Sequence, residues 1–244
     1  MLKEPRSMPK YLFSPNKMFK TILNKLYTFF LDIFSPKYCL LCLKWSPNYF
    51  CQVCLKKINF EPQITCLFCE KKLSFDSVCK QHSRPIRKLI SFGIYEESSL
   101  KEKIILAKNN GYREVFYDLG KEIGEKIKNF NWQGFQLAFI PLTRKKYFLR
   151  GFNQAEALAQ GIQEILRLPI FDGIIKIKET KDQAELNFEE RKTNLKAAFK
   201  LNKKPGEKIL LIDDIKTTGT TLAEVAQILK KEGTKEIIAL TILR

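Results

Sequence analysis

The chain has 244 residues, room for one ordinary domain and a small second one. It is 45% hydrophobic and 28% charged, enough for a buried core, which excludes collagen-like, mucin-like and wholly disordered chains. Its 43 Lys and Arg against 26 Asp and Glu leave a net charge of +17, which fits an anionic partner (nucleic acid, nucleotide, phosphate or an acidic membrane) or a solvated lysine-rich surface. Residues 1–20 hold scattered Lys and Pro5, Pro9 and Pro15 with no apolar run, so a mobile tail without a secretory signal is expected. Residues 21–34 predict a helix stopped at Ser35-Pro36. Asn24, Lys25 and Asp32 make it too polar to span a bilayer, so no transmembrane segment is expected. Its apolar side would dock on the protein or on a membrane surface.

A cysteine region follows over 36–83, then a linker over 83–88. From Leu89 the pattern alternates. Strands are predicted at 89–95, 136–140, 174–177, 198–201, 208–212 and 236–243. Helices are predicted at 98–108, 113–130, 153–166 and 220–231, with a helical turn at 188–196. This is an α/β pattern: a parallel sheet with helices on both faces over 89–244, behind a small N-terminal metal-binding unit and the 1–35 tail and helix.

All seven cysteines lie between Cys39 and Cys79. They read Cys39-x-x-Cys42, Cys51-x-x-Cys54, Cys66-x-x-Cys69 and Cys79-x-x-His82, the last using the only histidine of the chain. A CxxC turn brings two thiolates to one tetrahedral Zn²⁺, and two such turns complete a site. Two closed, structural zinc sites are expected: Cys39, Cys42, Cys51 and Cys54, then Cys66, Cys69, Cys79 and His82. Other pairings of the turns remain open. Thiolate sites fit a reducing cytoplasm. Lys44, Lys56, Lys57, Lys71, Lys72 and Lys80 mix here with Trp45, Tyr49, Phe50 and Phe68. That composition suits single-stranded nucleic acid, or aromatics packed over the zinc core.

The sharpest motif is Ile209 to Thr221. Four apolar residues predict a strand buried on both faces. Asp213 and Asp214 arrive at its C-terminal end, where such sheets bind ligands. Thr217, Thr218, Gly219, Thr220 and Thr221 then open a helix, whose free N–H groups hold a phosphate. Adjacent carboxylates suit two neighbouring ribose hydroxyls. No G-K-[ST] is present, so this is not a Walker loop. A second strand ends at Pro141 in the basic run Thr143, Arg144, Lys145 and Lys146, read as a loop able to neutralise a pyrophosphate.

The Ile209–Thr221 segment resembles the phosphoribosyl-pyrophosphate (PRPP) signature of type I phosphoribosyltransferases. Arg150-Gly151-Phe152-Asn153-Gln154, then Thr180-x-x-Gln183-x-x-Leu186 and Arg191-x-x-Asn194, behind the cysteine turns, resemble the ComF family. The resemblance implies a five-stranded parallel core of phosphoribosyltransferase type behind a double zinc ribbon. It implies ribose contacts at Asp213 and Asp214, which would be catalytic in an active enzyme, a 5′-phosphate cradle at 217–221, and Mg²⁺ with the pyrophosphate. It also implies a link to competence, with single-stranded DNA and a helicase or other uptake protein as partners. The family label of amidophosphoribosyltransferase fits poorly: no cysteine lies after Cys79 to hydrolyse glutamine. Phosphoribosyl transfer and non-catalytic binding of PRPP or nucleic acid use the same residues, so both remain open. Phe152 is read either as a base-stacking ring or as core. Gln183, Arg191 and Asn194 are read as a lid or as a surface helix.

Overall fold

The computed structural model describes residues 37–82, 85–94, 99–178 and 198–244. The expected tail, the 21–34 helix and the Thr180–Asn194 motif lie outside the described residues.

The central strands are β2 (Ile86–Ser91), β3 (Phe135–Phe139), β4 (Ile170–Phe171), β7 (Lys208–Ile212) and β8 (Glu236–Leu240). They pair in parallel in the order β2-β8-β7-β3-β4. This is the five-stranded parallel core that the resemblance implies. A sixth strand, β1 (Gln63–Thr65), comes from the cysteine region and pairs antiparallel with β2. β5 (Ile174–Lys176) and β6 (Phe199–Leu201) stand apart as an antiparallel pair.

Alternation along β7 explains the layering. Leu210 and Ile212 point to one core, Ile209 and Leu211 to the other. The first face is covered by α2 (Leu100–Asn109), α3 (Arg113–Ile127) and α5 (Gln154–Leu166). The second is covered by α6 (Thr220–Lys231) and the β5–β6 pair. α3 and α5 pack closely because Gly120 and Gly161 meet: a Cβ on either would strike the other helix's backbone.

The first and last strands of the parallel core have other bounds than expected. Ile86 to Lys88, assigned to a linker, form the first half of β2. Lys88 is accommodated there because its Nζ donates to the Phe75 carbonyl and lies 4.7 Å from the Phe75 ring. The last strand ends at Leu240 rather than at 243, because Ile242 N–H turns to the carbonyl of Asp214.

The cysteine region is a layer of this fold. It carries α1 (Gln52–Lys57), and its Phe50, Leu55 and Phe60 are at most 2% exposed within the first core. Tyr49 N–H donates to Asp118 Oδ2 at 3.4 Å, Gln52 donates to Glu122 at 2.7 and 2.8 Å, and Lys126 pairs with Glu61. Among the described residues, no helix is long and apolar enough to cross a membrane.

Candidate functional site

The connection from β3 runs to β4 on one side of the sheet, and that from β7 to β8 on the other. β3 and β7 are neighbours, with Phe139 opposite Ile212. The crevice beyond their C-terminal ends is therefore a topological switch point, where open α/β sheets bind ligands. Asp213 to Gly219 leave β7 into this crevice, and residues 140 to 143 leave β3 beside them, with Ile140 N–H bonded to the Ile212 carbonyl at 2.9 Å.

The two carboxylates differ in their surroundings. Asp213 Oδ1 accepts from the amide of Asp214 at 2.9 Å, and Asp214 Oδ1 from the amide of Ile215 at 3.0 Å. Asp214 Oδ2 also meets Lys108 Nζ at 2.8 Å. Burial, then the charge of Asp214, pushes the Asp213 carboxyl well above the usual range. Burial acts on Asp214 in the same direction, but Lys108, together with hydrogen bonds from Asp213 and the Ile215 amide, outweighs it and holds that carboxyl below the usual range. The pair is thus biased in opposite directions, Asp213 toward its protonated form and Asp214 toward its ionised form.

The loop then turns into α6. Gly219, with φ 74°, caps the helix in the left-handed region. Thr218 Oγ1 lies 2.7 Å from Thr220 Oγ1, so the hydroxyls line one another at the helix start. Thr217 is exposed, and Thr218, Thr220 and Thr221 are half-buried. The geometry gathers two carboxylates, threonine hydroxyls and helix N–H groups at one strand end, as the sequence predicts.

The basic run is corrected. Thr143 is a helix cap that accepts from Lys146 N–H at 3.3 Å, and Arg144 to Lys146 form the first turn of α4 (Arg144–Arg150) rather than a loop. α4 buries no residue, and Gly151 ends it at φ 75°. Arg144 and Lys145 are exposed, as are Tyr147, Phe148 and Leu149, with Phe148 89% exposed. Phe152 is 5% exposed and packs on Phe116, with ring centroids 5.7 Å apart, so it is core and not free to stack on a base. Asn153 caps α5, accepting from Ala155 N–H and donating to the Ile140 carbonyl, each at 3.0 Å. Gln154 is buried, and its Nε2 has no hydrogen-bond partner among the described residues.

The cysteine turns form two clusters with the expected pairing. Cys39, Cys42, Cys51 and Cys54 offer ligand atoms within 4.8 Å of one another, and so do Cys66, Cys69, Cys79 and His82. Cys42 and Cys51 sulfurs are 3.9 Å apart, those of Cys69 and Cys79 3.7 Å, and His82 Nδ1 lies 3.5 Å from Cys79 Sγ. Four ligands around one ion at a metal–sulfur distance of about 2.3 Å have edges of about 3.8 Å, so both clusters fit a metal ion.

The residue between the carboxylates and the threonine run also has a place. Lys216, to which the sequence assigns no role, pairs with Glu70, which directly follows Cys69 of the second cysteine cluster, and Arg244 meets the same carboxylate at 2.9 Å. The Lys216 hydrogen bond, opposed by partial burial, holds the Glu70 carboxyl below its ordinary range. Lys108 and Glu70 have no signal in the sequence, since each reaches the loop from far along the chain, and Arg244 meets it only through Glu70.

Residues 149–244 match the phosphoribosyl transferase domain. Competence protein F of Haemophilus influenzae is 39% identical over 103 residues, 40% of this chain and 45% of that protein. DNA utilization protein YhgH of Escherichia coli is 34% identical over 100 residues, 40% of this chain and 44% of that protein. Competence protein ComFC of Streptococcus pneumoniae is 32% identical over 132 residues, 54% of this chain and 56% of that protein. The chain spans about half the length of the curated relatives it matches. It carries a phosphoribosyl transferase domain and is homologous to these ComF-type proteins, with cysteine clusters that fit a zinc ribbon.

Proposed function

We propose that the crevice beyond β3 and β7 binds PRPP and handles its 5-phosphoribosyl group, in a ComF-type protein of competence and DNA uptake. One observation carries this reading: Asp213 and Asp214 stand directly before a helix start shaped by Gly219, at the switch point of the sheet. Asp213 and Asp214 take the ribose 2′- and 3′-hydroxyls. The ionised Asp214 accepts, while Asp213 donates or accepts as its proton allows. The amides and hydroxyls of 217–221 hold the 5′-phosphate at the positive end of α6. Mg²⁺ bound with PRPP would neutralise pyrophosphate charge. If the ribosyl carbon is attacked, the carboxylates stabilise the cationic sugar as pyrophosphate departs. In the reading, two structural Zn²⁺ ions fill the clusters, and seven cysteines gathered as metal ligands favour the cytoplasm.

Calorimetric titration of PRPP with Mg²⁺ into the metal-loaded full chain tests this. Saturable binding is expected, weakened at least about tenfold by Asp214→Asn, the loss of a charged hydrogen-bond partner. A wild-type protein that does not bind PRPP overturns the reading.

A second reading, single-stranded DNA binding, is favoured by α4. Its exposed Tyr147 and Phe148 stand among Arg144, Lys145 and Arg150, the pairing of aromatic faces and cations that single-strand sites use. The names of the relatives, competence and DNA utilization proteins, point the same way. A fluorescent oligonucleotide should bind with strong salt dependence, and Phe148→Ala with Arg144→Ala should weaken it. Unchanged binding in that variant removes α4 from the interface.

A further inference from the structure

We propose that Glu70 is a positioning residue, through which the second metal cluster sets the shape of the 213–221 loop. The inference rests on that loop being the phosphate cradle.

Glu70 directly follows Cys69. Its backbone lies in the left-handed region at φ 57°, and its amide donates to the Cys66 carbonyl at 3.0 Å. The turn that presents two metal ligands therefore also fixes where Glu70 points. One carboxylate oxygen takes Lys216 Nζ, and the other takes Arg244 NH1 at 2.9 Å. Arg244 NH2 reaches Gln63 Oε1 on β1 at 3.0 Å. The side chains of Lys216 and Arg244 are only 7% and 9% exposed, so both cations rely on a carboxylate to stay where they are. Glu70 is the carboxylate that both use among the described residues.

Lys216 stands two residues after Asp214 and one before Thr217. Its amide is fixed as well, donating to the Leu243 carbonyl at 2.9 Å. The other end of the cradle rests on the same turn. Leu67, between Cys66 and Cys69, is 1% exposed, and a Cβ on Gly219 would lie 3.2 Å from its Cδ1. The 66–70 turn thus props the loop at Lys216 by charge and at Gly219 by contact. Glu70 ligates no metal and touches no substrate. It acts on PRPP through Lys216.

The test is a double-mutant cycle of Glu70→Ala and Lys216→Ala in the full, metal-loaded chain, with Glu70→Gln beside it. Three readouts are taken: PRPP affinity, metal content and amide exchange of residues 215–221. Glu70→Ala should weaken PRPP binding on the order of tenfold with metal content unchanged, and Glu70→Gln should weaken it less. The double variant should lose little beyond either single one, the mark of residues acting as a pair. Exchange at 217–221 should quicken in each. Additive losses, or unchanged exchange with unchanged affinity, overturn the inference. If Glu70→Ala does not fold, Glu70→Gln against Lys216→Ala decides by the same readouts. If the wild type binds no PRPP, the function proposed above fails. Amide exchange at 217–221 then decides this inference by itself, faster exchange upholding it and unchanged exchange overturning it.

Discussion

Removing one ligand of the first metal cluster should destabilise the whole protein, not only the cysteine region. Cys42→Ser is a mild perturbation: nearly isosteric, at a half-buried thiol. Its consequence follows from what the cluster holds in place. Phe50, Leu55 and Phe60 are at most 2% exposed and lie in the same core as Leu119 and Ile123 of α3. Full burial of such a side chain is worth about 1.5–3 kcal/mol, so the three together contribute roughly 5–9 kcal/mol, an upper figure because unfolded chains already bury some surface. The whole stability of a domain is about 5–15 kcal/mol. If the variant lets the turn at 51–54 open, it should lose several kcal/mol and melt about 10 °C lower or more. Thermal unfolding gives the loss, a chromogenic chelator the metal released, and amide exchange its location. Faster exchange at Leu119 and Ile123 is expected. A variant that releases metal yet keeps the wild-type melting temperature and the protection of α3 would refute the reasoning.

Two more outcomes are expected. Lys108→Met removes the cation that holds Asp214 below the carboxylate range. A depressed folded value supplies stability above the unfolded one and loses it as the pH falls through the folded value. Asp213, raised, does the reverse: its contribution is present in acid and lost as the pH rises. The variant should therefore be less stable at neutral pH by about 1–3 kcal/mol, with the deficit shrinking as the pH falls through the carboxylate range. Urea melts at several pH values check it, and a deficit independent of pH would count against the assignment. Gly219→Ala should cost about 1–2 kcal/mol from the left-handed backbone alone, with Leu67 pressed as well, and should weaken PRPP binding more than it lowers the melting temperature. Calorimetry beside thermal unfolding separates the two effects.

What was legible in the sequence was what is contiguous. Strand, two aspartates, threonine run and helix stand in one segment, so composition and spacing carry the whole unit; α6 runs from Thr220 to Lys231 as predicted. The CxxC turns were legible for the same reason, including His82. α4 was missed although its signals were present: Thr143 caps its start, and Gly151 stands just past its end. Three consecutive basic residues outweighed them. The remaining gaps are long-range. Lys108 lies 106 residues before Asp214, and Glu70 lies 146 before Lys216. No periodicity or spacing encodes such a pair, because the partners meet only once the sheet has brought α2 and the second cysteine turn to the end of β7. The linker assigned to 83–88 differs: Lys88 sits in β2 because the Phe75 carbonyl and ring receive its charge, a contact made only in the folded chain.

The position of the cysteine region in the sheet makes the two cysteine clusters unequal. β2 would be an open edge strand, a template for unwanted pairing, and β1 covers it from within the cysteine region. β1 sits between the clusters in the chain, so the turns before it pack against α3 and those after it reach the loop beyond β7. The first cluster therefore bears on the core through Phe50, Leu55 and Phe60, and the second on the cradle through Leu67 and Glu70. A ribbon that merely hung from the N-terminus would give two metal sites with the same local effect. Here the loss of a ligand at Cys42 should be read first as lost stability. The loss of one at Cys69, exposed and next to Glu70, should be read first as a loosened loop and weaker PRPP binding.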